Sequence, residues 1–318
     1  MRNIIKIFLT LMILTFIISC QNKKENQSTN NSESAKTIAI ITPSAEHGWI
    51  TGVTYYAEQR AKELGLGYKI YQSQNVNDQA NDIADAIAAK SSVIIMFPHN
   101  DEVSVSAKQI IDANIPLVVF DRKIDVNYTG YLAGNNADMG TASAKEIGAY
   151  LKGTGTVAVE NVPSSGSVST ERVNAFKEEM KKSYPDIKLV DFTADGFSQE
   201  QGLSSGSDML TANPKLDAVF SIDDESSLGL LQAITEAKRT DVKIMSGGGG
   251  SQSYFAKIKD SKNIKLFTAT YSPMMMKDVV DLAKELIDGK TIQKDTIKPT
   301  VIVNSENVTK FIDANSPY

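Results

Sequence analysis

From Thr37 onward, short β-branched runs alternate with longer stretches in which apolar residues recur every three or four positions. The runs at 38–42, 69–71, 93–97 and 117–120 predict strands, and 50–64, 77–89 and 100–113 predict the helices between them. In the first helix Val53, Ala57, Ala61 and Leu64 share a face opposite the charges, and Gly65 and Gly67 mark its end. Nearly continuous apolar strands between amphipathic helices predict a parallel sheet covered on both faces. The same order then repeats, with strands at 156–159, 188–192, 218–222 and 243–245 and helices at 169–183, 199–211 and 225–237. The fold class is therefore α/β, as two similar lobes with parallel sheets. A further strand (265–270), helix (273–288) and strand (300–303) remain. They imply that the chain passes between lobes more than once, near 134–136, 268–271 and 298–299. The division expected is 37–135 plus 270–298 for the first lobe and 136–269 plus 299–318 for the second.

The first 36 residues break this pattern. A positive start containing Arg2 and Lys6 precedes an apolar run over 7–18, too short for a spanning helix. Ile17-Ile18-Ser19-Cys20 then reads as a lipobox, and Cys20 is the only cysteine of the chain. Cleavage after residue 19 leaves Cys20 to carry a diacylglyceryl group; a plain buried cysteine in a membrane anchor is the competing reading. Residues 21–36 hold no aliphatic side chain except Ala35, which predicts a solvated tether. The arrangement looks like a bacterial lipoprotein: extracytoplasmic, in the periplasm or at the cell surface, and anchored to the membrane by lipid alone.

Composition narrows the function. A hydrophobic content of 42% and a charged content of 22% fit a globular body. Loss of the leader takes the net charge from −5 to about −7, a sign that argues against nucleic acid. With Cys20 lipidated, no thiol remains for a disulfide, a redox couple or a zinc–thiolate site. No cofactor or metal is expected.

In parallel sheets, ligands sit beyond the carboxyl ends of the strands, so the residues there carry the candidate chemistry. After the first strand stand Glu46, His47 and the single tryptophan, Trp49. The indole face suits the apolar face of a sugar ring, or else staples the helix start. Glu46 and His47 either bond hydroxyls or cap the helix. The strand at 117–120 runs straight into Asp121-Arg122, a carboxylate and a guanidinium fork that together read a polyol, against the alternative of a self-satisfied ion pair. In the second lobe Phe197 and Asp223 follow strands and offer a stacking face and an acceptor, while Arg172, one turn into the helix that begins near Ser169, offers a donor or else is a solvated helix charge.

Catalytic motifs fare poorly. Gly202-Leu203-Ser204-Ser205-Gly206 matches G-x-S-x-G but lies in a predicted helix, with no histidine after it in the chain. Gly247 to Gly250 lacks the partner residues of a phosphate loop and reads as a flexible turn lining the cleft. The Met274-Met275-Met276 run reads as packing.

Four segments carry a resemblance: TIAIITPSAEHGW with a helix ending in ELG, IPLVVFDR, ERVNAF and AVFSIDDESSLGLLQA. From Thr37 to about Asp313 the chain resembles the type I periplasmic sugar-binding proteins, nearest in pattern to ribose-binding protein. The resemblance implies two Rossmann-like lobes, a three-strand hinge and a ligand buried between them. It assigns the aromatic corner to Trp49, with Ile50 where a second aromatic is usual. The aspartate–arginine pair falls on Asp121 and Arg122, the second-lobe arginine on Arg172 and the later aromatic on Phe197. Asp223 replaces the usual asparagine. Glycines including Gly248 stand where a ligand-binding aspartate is frequent, and Tyr271 where an amide is frequent. These departures suggest a shifted binding geometry and leave the ligand open.

The resemblance implies a non-catalytic, monomeric receptor that captures a small sugar or polyol, closes about its hinge and presents the ligand to an ABC permease, with a chemoreceptor as a possible second listener. A receptor for a nucleoside, polyol or quorum signal, and a sugar-processing hydrolase, are the alternatives.

Overall fold

The computed structural model describes residues 36–45 and 48–318. The expectations for the leader, Cys20, the tether up to Ala35, Glu46 and His47 fall outside those residues.

Two six-stranded sheets are built from the same pattern. The first holds β1 (Thr37–Pro43), β2 (Gly67–Ser73), β3 (Val93–Met96), β4 (Leu117–Phe120), β5 (Gly130–Gly134) and β11 (Asp295–Lys298), in the order β11-β5-β4-β3-β1-β2. The second holds β6 (Gly155–Asn161), β7 (Ile187–Thr193), β8 (Ala218–Phe220), β9 (Ile244–Gly249), β10 (Lys265–Thr270) and β12 (Ile302–Asn304), in the order β12-β10-β9-β8-β6-β7. Pairing is parallel throughout except between β10 and β12.

The helices are α1 (Gly48–Glu63), α2 (Val76–Ala88), α3 (Ser104–Asp112), α4 (Asn136–Tyr150), α5 (Ser167–Ser183), α6 (Gln199–Ala212), α7 (Asp224–Glu236), α8 (Gln252–Asp260) and α9 (Met275–Ile287). They bury both faces of each sheet. In β1, Ile38 and Ile40 pack with Val53 and Ala57 of α1 and Val279 of α9, while Ala39 and Ile41 pack with Ile83 of α2 and Ile110 of α3. A strand apolar on both faces therefore needs both layers, at roughly 1.5–3 kcal/mol for each large aliphatic side chain removed from water. The second sheet repeats the arrangement, with Val219 and Met245 under Met209 and Leu230 on one face, and Val157 and Val159 under Ile147 and Phe176 on the other.

Gly65 ends α1 as expected. At φ +64° its N–H bonds the Lys62 carbonyl while Leu66 N–H reaches back to Ala61, a left-handed cap that a residue with a side chain adopts at a cost. Two expectations need correction. The glycine run is not a turn: Gly247, Gly248 and Gly249 lie inside β9, hydrogen-bonded to β10. The single helix expected over 100–113 divides into a 3-10 turn, Asp101–Val103, capped by Asn100, and then α3.

Candidate functional site

The carboxyl ends of both sheets open on one cleft. The first lobe contributes Trp49 at the start of α1, Phe97 after β3, and Asp121 and Arg122 after β4. The second contributes Arg172 on α5, Phe197 after β7, Asp223 after β8 and Gly248 and Gly249 from β9, with Tyr271 following β10. They enclose a cavity of about 50 Å³. A cavity needs about 10–15 Å³ by this measure to hold a water, so the space is small but solvent-sized.

Tyr271 organises the centre. Its hydroxyl donates to the Asp121 carboxylate at 2.5 Å, its carbonyl accepts from the Trp49 indole N–H at 2.7 Å, and the Arg172 guanidinium lies 5.0 Å above its ring. Burial, reinforced by the charge of Asp121, pushes its hydroxyl well above the ordinary tyrosine range, so it stays a donor.

Asp121 adopts φ +65°, a left-handed conformation that aspartate tolerates better than most side chains, and this turns its carboxylate inward. The carboxylate is only 6% exposed, with Arg122 Nε 4.0 Å away. At that separation the pair is loose. Arg122 instead donates through Nη1 to the His99 carbonyl and lies 5.3 Å from the centre of the Phe97 ring. Trp49 does two jobs: it stacks parallel to Phe120 at 5.9 Å and meets Phe97 edge-on at 5.8 Å, yet it still lines the cavity. Across the cleft, Arg172 donates through Nε to Asn136 Oδ1 at 2.9 Å and through Nη1 to the Ile222 carbonyl at 2.7 Å.

Asp223 caps α7, accepting from the N–H groups of Glu225 at 2.8 Å and Ser226 at 3.0 Å. Burial raises its carboxyl well above the usual range, opposed by the Ser226 N–H and assisted by Asp224, Glu225 and Glu160. Asp224 turns the other way, into the lobe, where Thr268 Oγ1 and the N–H groups of Gly250 and Ser251 all donate to it. Its burial raises the carboxyl to about 6. This explains Gly247, where a methyl group would stand 2.2 Å from Asp224 Oδ1; one on Gly248 would instead meet the Ile222 carbonyl at 2.3 Å. At Gly247 the strand gives up its side chain to admit a carboxylate from the neighbouring helix.

Eight of the residues singled out in the sequence thus surround one cavity: Trp49, Asp121, Arg122, Arg172, Phe197, Asp223, Gly248 and Tyr271. Phe97 and Val168 also line it and were missed. Phe97 had the same strand-end signal as Asp121, but its apolar side chain blended into the run before it. The serine motif is helical: its central serine, Ser204, lies within α6, so no strand-to-helix elbow presents a nucleophile. Among the described residues no three His, Cys, Asp or Glu side chains group as a metal centre requires.

Residues 38–291 match the family model described as periplasmic binding protein domain. The chain belongs to the periplasmic binding protein family. This binding protein is 28% identical over 282 residues to the D-apiose import binding protein of Actinobacillus succinogenes, covering 86% of this chain and 90% of that one. It is 25% identical over 305 residues to the ribose import binding protein RbsB of Bacillus subtilis, covering 94% and 98%. An ABC transporter solute binding protein from Bacillus halodurans with bound myo-inositol shares the fold, with a TM-score of 0.81 at 18% identity over 90% of this chain and 100% of that one. The family is one of extracytoplasmic solute-binding proteins, and the chain is not an enzyme. Among the described residues no helix is long and apolar enough to cross a membrane.

Proposed function

We propose that this chain is the binding component of an ABC importer and takes a small sugar or polyol into the cleft between its lobes. The observation that carries the reading is the inward-turned Asp121 carboxylate beside Arg122, with Arg172 facing them across a cavity walled by Trp49, Phe97 and Phe197. Charged donors and acceptors bond hydroxyls strongly, and the aromatic faces cover C–H surface. The names of the relatives from A. succinogenes and B. subtilis point to pentoses, apiose and ribose. Tyr271 already occupies one oxygen of Asp121, so that carboxylate has less capacity for ligand hydroxyls than an unengaged one. A ligand that places few hydroxyls against Asp121, such as a deoxygenated pentose, is favoured.

The lobes are assigned as residues 37–135 with 270–298, and 136–269 with 299–318. Closing about the three connections between them presents a shape that the permease recognises. Ligand contacts made only in the closed form shift that balance, and up to about 5.5 kcal/mol is enough to turn it over. Lipidation at Cys20 keeps the receptor at the membrane. The test is calorimetric titration of the purified protein with pentoses, hexoses, polyols and nucleosides. Saturable binding of a pentose or polyol without turnover supports the reading; binding confined to nucleosides, or hydrolysis of a glycoside, overturns it.

A further inference from the structure

Behind the cleft, on the other side of Gly249, lies a second cavity of about 330 Å³ that also touches both lobes. One wall of it is the segment 311–318, which is fastened at two places. On the second lobe the Gln252 side chain donates to the Phe311 carbonyl at 3.2 Å and accepts from the Asp313 N–H at 2.8 Å. On the first lobe the Tyr56 hydroxyl donates to Ser316 Oγ at 2.8 Å, and Ser316 donates in turn to the Tyr318 carbonyl at 2.6 Å.

Just beyond the second anchor the Tyr318 ring enters the gap between the lobes, and the residue is 6% exposed. Three glycines border it, Gly249 most tightly, while Gly48 and Gly52 stand nearer still to Glu225 and Pro273. A methyl group on Gly52 would lie 3.2 Å from Tyr318 Cβ, one on Gly48 3.4 Å from its ring, and one on Gly249 2.2 Å from its hydroxyl. Gly48 and Gly52 are one turn apart on α1 of the first lobe; Gly249 ends β9 of the second. Gly249 also lines the ligand cavity, and its carbonyl accepts from the Tyr271 N–H at 2.8 Å where the chain crosses between lobes. On the same turn of α1, Gly48 N–H donates to the Glu225 carboxylate of the second lobe at 3.0 Å. Among the described residues the Tyr318 hydroxyl has no hydrogen-bond partner, so shape holds the ring in place.

We propose that Tyr318 is a positioning residue of the binding site, an aromatic key that sets and stabilises the closed arrangement of the lobes. Opening parts Gly249 from Gly48 and Gly52 and exposes a ring that closure buries, so the key favours closure before any ligand arrives. It acts on the ligand through Gly249 and Tyr271, not by touching it. The effect on affinity rests on the cleft being the ligand site, as proposed above; the effect on shape does not.

Small-angle X-ray scattering of the unliganded full chain separates the two. Tyr318→Ala is expected to enlarge the radius of gyration relative to wild type, and Tyr318→Phe, which keeps the ring, to leave it unchanged. With the pentose or polyol found by titration, Tyr318→Ala should weaken binding at least tenfold and Tyr318→Phe less than twofold. Scattering from Tyr318→Ala identical to wild type, with helical circular dichroism retained, overturns the proposal, as does a Tyr318→Phe variant as open as the alanine one. If Tyr318→Ala does not fold, Tyr56→Phe decides: it frees one anchor, and an unchanged radius of gyration overturns the proposal. Should no sugar or polyol bind even wild type, the functional reading fails while the scattering result still stands on its own.

Discussion

The hydroxyl of Tyr271 donates to Asp121 across 2.5 Å, joining two residues 150 positions apart at the place where both lobes meet the cavity. The donor keeps its proton because burial disfavours the phenolate, and the carboxylate it serves is almost wholly shielded from water. Hydrogen bonds to charged groups contribute about 1.5–3 kcal/mol, and Tyr271→Phe should reduce unfolding free energy by about that amount. Urea denaturation of the unliganded protein measures it. A loss below about 0.5 kcal/mol would mean that water replaces the hydroxyl at no cost.

Asp121 and Arg122 form the part of the site on which recognition depends most. Asp121→Asn tolerates the left-handed backbone and removes the charge, whereas Arg122→Ala removes a guanidinium already held by the His99 carbonyl. Each should weaken ligand binding at least tenfold, about 1.4 kcal/mol, with little change in thermal midpoint for Arg122→Ala. Titration calorimetry reads both. Near-native affinity in the two variants would move the binding site elsewhere.

The lobes were legible because a strand buried on both faces is written as an uninterrupted apolar run, as in 38–41, and strand ends follow from the strands. Asp121, Arg122 and Asp223 are read in that way, whereas Arg172 lies one turn inside a helix and carries a weaker signal. β5 and α4 were not legible. Gly130-Tyr131-Leu132-Ala133-Gly134 is short and bounded by glycines, and α4 is rich in small residues because it packs closely on α5, where a methyl on Gly140 would meet the Arg172 carbonyl at 2.1 Å. β11 is half-exposed at an edge and carries little apolar signal. Contacts such as Tyr271 with Asp121, or Tyr318 with three distant glycines, depend on which strands become neighbours, information that no local window contains.

Trp49 reports on the cavity because it is the chain's only tryptophan and lines it. Its indole N–H is committed to the Tyr271 carbonyl, so a ligand changes its environment chiefly at the ring face and through movement of Tyr271. Emission should therefore shift in intensity on saturation and follow the same binding curve as calorimetry. A ligand that saturates without altering emission would place the contact away from this aromatic wall.

Asp224 makes stability depend on pH in a direction opposite to that of most surface carboxylates. Its carboxyl rises from an ordinary value of 3.8 to about 6 because burial penalises the charge, although Thr268 and the N–H groups of Ser251 and Gly250 partly offset this. Glu160 and Asp223, also buried, shift the same way, while Tyr254 and Glu225 stand nearby. With the folded value above the unfolded one, the native state binds more protons between them. The contribution is thus complete below about pH 4 and is lost as pH rises through about 6, up to roughly 3 kcal/mol for a shift of this size. Asp224→Asn cannot titrate, so its unfolding free energy relative to wild type should increase between pH 4 and 6.5, as measured by urea unfolding at matched ionic strength. A constant difference across that range would show that Asp224 remains ionised in the folded protein, its three donors outweighing its burial.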